Sequence, residues 1–287
     1  MSRIKSLSIT PRYQADSSWW EHVPIAHFLI EVLKPEVVVE LGSHYGVSFF
    51  AFCEAAEILS KETYTYAVDS WEGDKQAGFY KDEVYEAVND HRNQYHKQRS
   101  VLLRKLFDEA VNHFEDESID VLHIDGLHTY EAVKHDFELW LPKVKKEGTI
   151  LFHDWNERKE GFGVWKLWEE IKKDERFKCI QLTNGHGLGI ATLSNEVPMW
   201  HDLLIESKEE LKCKGMLLSN INDAYRKIKR QKEEIDIIKK HSKNLENMYV
   251  SKSRELEDAS MQITELSRRR GIIKRLSKML NLTFLRN

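Results

Sequence analysis

The chain has 287 residues, 41% of them hydrophobic, and a formal net charge of −4. That supports one sizeable α/β domain with an extra module, and three widely separated cysteines without C-x-x-C spacing (Cys53, Cys179, Cys213) argue against a disulfide framework and for a reducing compartment. No run of about 18 apolar residues offers a membrane span, and the first twelve residues hold no signal-peptide core, so a cytoplasmic location is expected.

Ser17 to Leu33 reads as a helix. Ser17 or Ser18 can cap it, and Trp20, Val23, Ala26, His27 and Ile30 follow the helical repeat. Pro35 ends it. Val37-Val38-Val39 is a β-branched run and therefore a buried strand. It leads into Glu40-Leu41-Gly42-Ser43-His44-Tyr45-Gly46 and a second helix through Leu59. Tyr64–Val68 is the next strand and ends at Asp69. Val101–Arg104, Ile119–Ile124 and Thr149–Phe152 are the third, fourth and fifth. Between the last two, Glu131–Leu141 has helical spacing, with Val133, Phe137, Trp140 and Leu141 on one side. Lys178–Leu182 and Leu188–Leu193 are two late strands around an Asn-Gly-His-Gly turn. Strands that alternate with helices predict an α/β fold with a doubly wound, mostly parallel, seven-stranded sheet over residues 1–200.

The chemistry-bearing residues fall at strand ends. Strand, helix, strand makes the fourth and fifth strands a parallel pair. Asp125, His128 and Asp154 then leave the same carboxyl edge, where open α/β sheets bind ligands. His123, inside the fourth strand, is expected to point away from Asp125 and to be structural. At the first crossover, Gly42 and Gly46 allow a ligand close to the backbone, but the spacing is not G-x-G-x-x-G, so a nucleoside fits better than a dinucleotide. Asp69 is the expected acceptor for ribose hydroxyls, and Glu40 is expected to face the same cleft. Together these suit S-adenosylmethionine. Trp71 and Trp155 follow ligand-facing strand ends and are expected to stack on adenine or a sugar ring. His186 is either a substrate neighbour or a turn residue.

After Trp200 the character changes. Residues 201–287 carry 20 basic and 13 acidic side chains, against 23 and 34 in residues 1–200. Residues 201–216 are expected to be a linker. From Leu217 through Ile221, Ala224, Ile228, Gln231, Ile235, Ile238, Ser242, Leu245, Tyr249, Lys252, Leu256, Ala259 and Ile263 to Leu266, steps of four and three mark a heptad repeat. A homo-oligomeric coiled coil is expected over 217–267, with a dimer favoured and a trimer possible. Residues 268–287 have basic groups and an apolar face of Ile272, Ile273, Leu276, Met279, Leu280 and Phe284. That pattern suits a peripheral contact with the inner membrane face; nucleic acid is not an expected partner.

The stretches Val37–Gly46, Ala67–Asp74, Leu122–Pro142, Leu151–Asp154 and Gly161–Glu170 resemble class I S-adenosylmethionine-dependent methyltransferases. Within that class they resemble the metal-dependent branch of sugar O-methyltransferases and cephalosporin-hydroxylase-like proteins, over about Glu36 to Leu193. The resemblance implies cofactor contacts at Glu40, Gly42, Ser43, Gly46, Asp69 and Trp71, a divalent cation (Mg²⁺ or Mn²⁺) held by Asp125 and Asp154, and His128 as general base. Relatives often carry an acidic pair after the fifth strand. Here His153 precedes Asp154, which leaves it two roles, metal ligand or hydrogen-bond partner. The expected function is O-methylation of a sugar hydroxyl on a surface glycan or its precursor. The alternatives are a metal-independent small-molecule O-methyltransferase and a non-catalytic coiled-coil interaction protein.

Overall fold

The computed structural model describes residues 4–284 apart from 61, 75 and 77, with α-helical side chains described as far as Met279. Ser17 opens the first helical segment: its Oγ accepts from the Trp19 N–H at 3.0 Å, capping a 3₁₀ turn, Ser18–His22. Helix α1, Val23–Leu33, follows and ends at Lys34 in the left-handed region. Strand β1 is Val37–Leu41, helix α2 Val47–Leu59 and strand β2 Tyr64–Asp69. A two-residue-by-two-residue ribbon, β3 (Gly73–Asp74) and β4 (Gly78–Phe79), precedes α3, Asp82–His91, and a π-helical turn, Arg92–His96. Then come β5 (Ser100–Arg104), α4 (Phe107–Ala110), β6 (Ile119–Ile124), α5 (Tyr130–Trp140), β7 (Val144–His153), α6 (Val164–Ile171), β8 (Phe177–Leu182), β9 (Leu188–Leu193) and α7 (Met199–Phe284).

The seven-stranded sheet has the order β5-β2-β1-β6-β7-β9-β8, with β9 antiparallel to both of its neighbours and the other pairings parallel. The doubly wound, mostly parallel sheet expected from strand–helix alternation is the one observed. The order reverses between β1 and β6, the point at which ligands enter such sheets. Apolar layers cover both faces. One gathers α1, α2 and the opening of α7 around Trp19, Phe28, Phe52 and Leu151; the other gathers α5 and α6 around Trp140, Phe152 and Trp168.

The compact body runs from residue 1 to Tyr225, and residues 226–287 form a second unit. The stretch expected as a linker, 201–216, is helical instead. Its Leu204 and Leu211, with Leu218 a further seven residues on, are buried in the core of the body. Gly215 lies so close to the Ser18–His22 turn that an added Cβ would stand 2.2 Å from the Glu21 carbonyl oxygen. The Lys214 ammonium donates to the carbonyls of Ser6, Leu7 and Ile9. The seam of the heptad repeat starts on another face, with Leu217 and Ile221 exposed. In the second unit Ile228, Ile235, Leu245, Leu256 and Ile263 are also exposed, as are Ile272, Ile273, Leu276 and Met279. The side chains of Leu280 and Phe284 lie outside the described residues. Among the described residues no helix is long and apolar enough to cross a membrane.

Ending the chain at Trp200 removes three buried leucines, each worth about 2–5 kcal/mol when truncated to alanine, whereas ending it at Tyr225 removes none. The expected result is a melting temperature close to that of the full chain for residues 1–225, and loss of cooperative unfolding for residues 1–200.

Candidate active site

Strand register lines up the site. Val68, Leu41, Ile124 and Phe152 are paired neighbours across β2, β1, β6 and β7. The next residue on each strand, Asp69, Gly42, Asp125 and His153, therefore leaves the same edge together. Gly42 has φ +87°, and a Cβ there would lie 2.2 Å from the Asp125 carbonyl oxygen. Its absence of a side chain lets the first crossover press against the end of β6.

Asp69 is the organiser of that crossover. Its Oδ2 accepts from the backbone N–H groups of Ser43 and His44, both at 2.9 Å, and its Oδ1 accepts from Trp71 N–H at 2.7 Å. The carboxylate expected to hold ribose thus first folds the turn that surrounds a ligand, and it lines the cleft from there. Trp71 does not stack on a ligand. It is fully buried, and its Nε1–H donates to the His44 carbonyl at 3.0 Å. Trp155 is buried as well, donating to the Leu182 carbonyl at 3.1 Å and packing on Trp168. Both are framework residues, because each ring is held by an apolar core and its one polar atom is satisfied by backbone.

Asp125, His128 and Asp154 come together. His128 Nε2 lies 3.3 Å from Asp125 Oδ1 and 3.0 Å from Asp154 Oδ2. Asp154 reaches this position from a left-handed backbone, φ +60°, just past β7, with its N–H donating to the Gly187 carbonyl. Gln76 orients the imidazole: its Oε1 accepts from His128 N–H at 2.9 Å and from Nδ1–H at 3.1 Å. The Phe162 ring stacks on the imidazole face at 5.1 Å. The proton on Nδ1 leaves Nε2 as the nitrogen that meets the carboxylates. Burial opposes charge on His128, but hydrogen bonds that the imidazolium donates to the two carboxylates outweigh it and push the imidazole up to about 10. Burial likewise opposes charge on Asp125, and the imidazoles of His153 and His128 hold it well below the usual carboxylate range.

A second layer of imidazoles backs the carboxylates. His153 Nδ1–H donates to Asp125 Oδ1 at 3.2 Å and lies 3.4 Å from Asp154 Oδ1. The ring is 2% exposed and packs edge-on against His22, so the carboxylates stand between it and the cleft. Of the two roles open to His153, this geometry is that of a positioning partner. His123 corrects an expectation. Residues two apart on a strand share a face, and His123 Nε2 is 4.0 Å from Asp125 Oδ2. It is nonetheless structural: Trp19 Nε1–H donates to its Nε2 at 3.2 Å, and its Nδ1–H donates to Glu40 Oε2 at 3.0 Å. Glu40 is buried at 1% exposure behind the cleft wall, with Oε1 unpartnered among the described residues. It belongs to this buried layer and does not line the cleft.

The cleft is about 520 Å³ and runs from the crossover past Asp69 to Asp125, His128 and Asp154, within the usual range for small-molecule sites, about 300–1,000 Å³. Ser43 forms part of its wall and has a buried Oγ without a partner among the described residues, an atom that a ligand hydroxyl or carboxylate would satisfy. Gly42 lines it too; Gly46, φ +79°, instead packs against Phe50 as the N-cap of α2. His44, Tyr80 and Phe107 also line the cleft and were not legible beforehand. They come from turns and a short helix whose approach depends on the whole sheet. Gln76 carried no signal either, since it lies 52 residues from His128. His186 pairs with Glu157 Oε1 and is a turn residue outside the cleft wall.

Residues 39–155 match a family model described as a methyltransferase domain. This part of the chain is therefore similar to methyltransferase domains. An uncharacterized protein of Sinorhizobium fredii, y4gI, is 43% identical over 185 residues, which is 64% of this chain. The match takes in 20% of that relative, so the chain spans about a fifth of the length of the curated relative it matches. Among solved structures, an O-methyltransferase from Bacillus cereus in complex with SAH aligns at 14% identity over 64% of this chain and 84% of its own, with a TM-score of 0.47. The O-methyltransferase TomG from Streptomyces achromogenes, in complex with SAM, aligns at 11% identity over 66% and 90%, with a TM-score of 0.48.

Asp69→Asn turns an amide donor toward backbone N–H groups. It should destabilise the domain by about 1–3 kcal/mol and weaken nucleoside binding. Calorimetry with S-adenosylhomocysteine, together with a denaturant melt, checks both effects.

Proposed function

We propose that this chain is an S-adenosylmethionine-dependent O-methyltransferase acting on a sugar hydroxyl, of a surface glycan or its precursor, with help from Mg²⁺ or Mn²⁺. The observation that carries this reading is the convergence of Asp125, His128 and Asp154 at the sheet edge, in one cleft with the crossover that Asp69 folds. The three side chains each offer a ligand atom, all within 4.8 Å of one another. The Asp125 and Asp154 carboxylates suit a divalent cation that prefers oxygen ligands, and the set fits, with His128 beside it. Asp125 and Asp154 would hold it. When bound, such a cation supplies positive charge that lowers the pKa of an acceptor hydroxyl.

The chain's own residues do the rest. Gln76 and Phe162 hold the His128 ring so that Nε2 faces Asp125 and Asp154, beside which a cation-bound acceptor hydroxyl would lie. With the carboxylates engaged elsewhere, Nε2 is free to take the proton from the hydroxyl as the methyl group transfers. His153 fixes the carboxylate orientation from behind. The Ser43–His44 turn seats the nucleoside, with Ser43 Oγ available to it. In-line positioning of sulfonium and hydroxyl supplies much of the rate, since the methyl donor is already reactive.

The contact of His128 with Asp125 also suits a cation-free acid–base pair acting on a small-molecule hydroxyl, and chelation separates the two. Excess EDTA should abolish methyl transfer, and Mg²⁺ or Mn²⁺ should restore it; unchanged turnover would leave the cation-free pair. His128→Ala should lower turnover by about 10²–10⁴-fold while S-adenosylhomocysteine still binds. Full activity in that variant would remove His128 from the chemistry.

The exposed apolar seam of α7 supports self-association through a coiled coil, and the exposed Ile272, Ile273, Leu276 and Met279 beside Lys274, Arg275 and Lys278 support a peripheral contact with an anionic lipid surface. In sedimentation the full chain should be oligomeric and residues 1–225 monomeric. Vesicles containing anionic lipid should retain the full chain and release a chain ending at Ser267; a monomeric full chain, or one that ignores vesicles, would overturn the corresponding part.

A further inference from the structure

Glu54, His91 and His96 form a second cluster, away from the methyltransferase cleft. Glu54 lies on α2, His91 ends α3 and His96 closes the π-helical turn. Each offers one possible ligand atom, and these atoms all lie within 4.8 Å of one another. Each residue also has a buried side-chain atom with no hydrogen-bond partner among the described residues: Glu54 Oε2, His91 Nε2 and His96 Nε2. Glu54 is 2% exposed and His96 5%. Three unpartnered polar atoms in so dry a place are costly unless something joins them.

The local structure aims them inward. Residues advance by about 100° each around an α-helix, so two histidines five apart would diverge. The π turn, with its i→i+5 repeat, instead brings His96 beside His91, and their ring centroids are 5.6 Å apart. The remaining atoms are tied down. Glu54 Oε1 accepts from Arg12 N–H at 2.8 Å and Tyr13 N–H at 3.3 Å. Nδ1 of His96 lies 2.7 Å from Glu57 Oε1, so it carries the proton and leaves a lone pair on Nε2. A carboxylate behind an imidazole is the usual second layer of a metal-bound histidine. Tyr13 and Phe50 pack on the His91 ring at 4.5 and 4.6 Å.

We infer that Glu54, His91 and His96 form a binding site for a divalent transition-metal ion of the Zn²⁺ type, distinct from the Asp125–Asp154 site. One carboxylate and two imidazoles are borderline donors that favour such an ion over Mg²⁺ or Ca²⁺. At zinc, ligand bonds are about 2.0–2.2 Å, so the three side chains close inward on binding. The ion would pin α3 and the π turn to α2.

The test uses the full chain carrying Asp125→Asn and Asp154→Asn, so that the active-site carboxylates cannot compete for added metal. After EDTA stripping and dialysis against Zn²⁺, this chain should retain about one zinc and melt at a higher temperature than its stripped form. Adding His91→Gln should abolish both effects while the melting temperature in EDTA stays unchanged. Glu57→Gln should weaken zinc binding by about 10–100-fold. Zinc retained at the same stoichiometry after His91→Gln, or no zinc bound by the starting chain, would overturn the site. Should His91→Gln fail to fold, the Co²⁺-loaded starting chain decides: a visible absorption band of low-symmetry nitrogen and oxygen ligation supports the site, and the spectrum of octahedral aqueous Co²⁺ overturns it.

Discussion

The parallel register of β2, β1, β6 and β7 is the constraint on which the candidate site depends. It is set by hydrogen bonds and apolar side chains several residues inside the sheet. Its effect appears one residue beyond, where Asp69, Gly42, Asp125 and His153 emerge in a row. A slip of one residue in any of these pairings would turn the affected side chains to the other face. A slip would also break the buried hydrogen bond between Glu40 and His123, which face each other in this register, and so the core fixes the spacing of the polar edge.

The sheet also buries polar groups, and each must be satisfied. Glu40 and His123 sit side by side in paired register, and Trp19 reaches over from the Ser18–His22 turn to complete the link. On the next row His153 meets Asp125 in the same manner. The carboxylates that line the cleft are therefore backed by imidazoles. Such support restricts their rotamers before any ligand arrives, which is what a pre-organised site requires. The glycine crossover follows the same logic. Gly42 is needed where it abuts the Asp125 carbonyl, and Asp69 collects three backbone N–H groups that would otherwise lack partners.

Helix α7 shows how one periodic pattern can hide another. Leu204, Leu211 and Leu218 recur every seven residues and are buried in the body. The seam from Leu217 through Ile221 and Ile228 is also spaced by four and three, yet it lies on a different face. In the sequence the second series is longer and more regular. The first series is concealed in a charged stretch, because a helix that packs one face on a domain keeps its other faces polar.

The mostly parallel sheet, the parallel pairing of the fourth and fifth strands and the convergence of Asp125, His128 and Asp154 at their carboxyl edge were legible in the sequence, since they follow from apolar runs and the alternation of strand and helix. So was the methyltransferase likeness, which rests on contiguous motifs. The part of Gln76, the burial of Trp71 and Trp155, the withdrawal of Glu40 behind the cleft wall and the meeting of Glu54 with His91 and His96 were decided only by tertiary structure. Each depends on the direction of a side chain held by residues tens of positions away. Local pattern fixes which face of an element is apolar; which polar atom meets which depends on how the packed layers turn those faces toward one another.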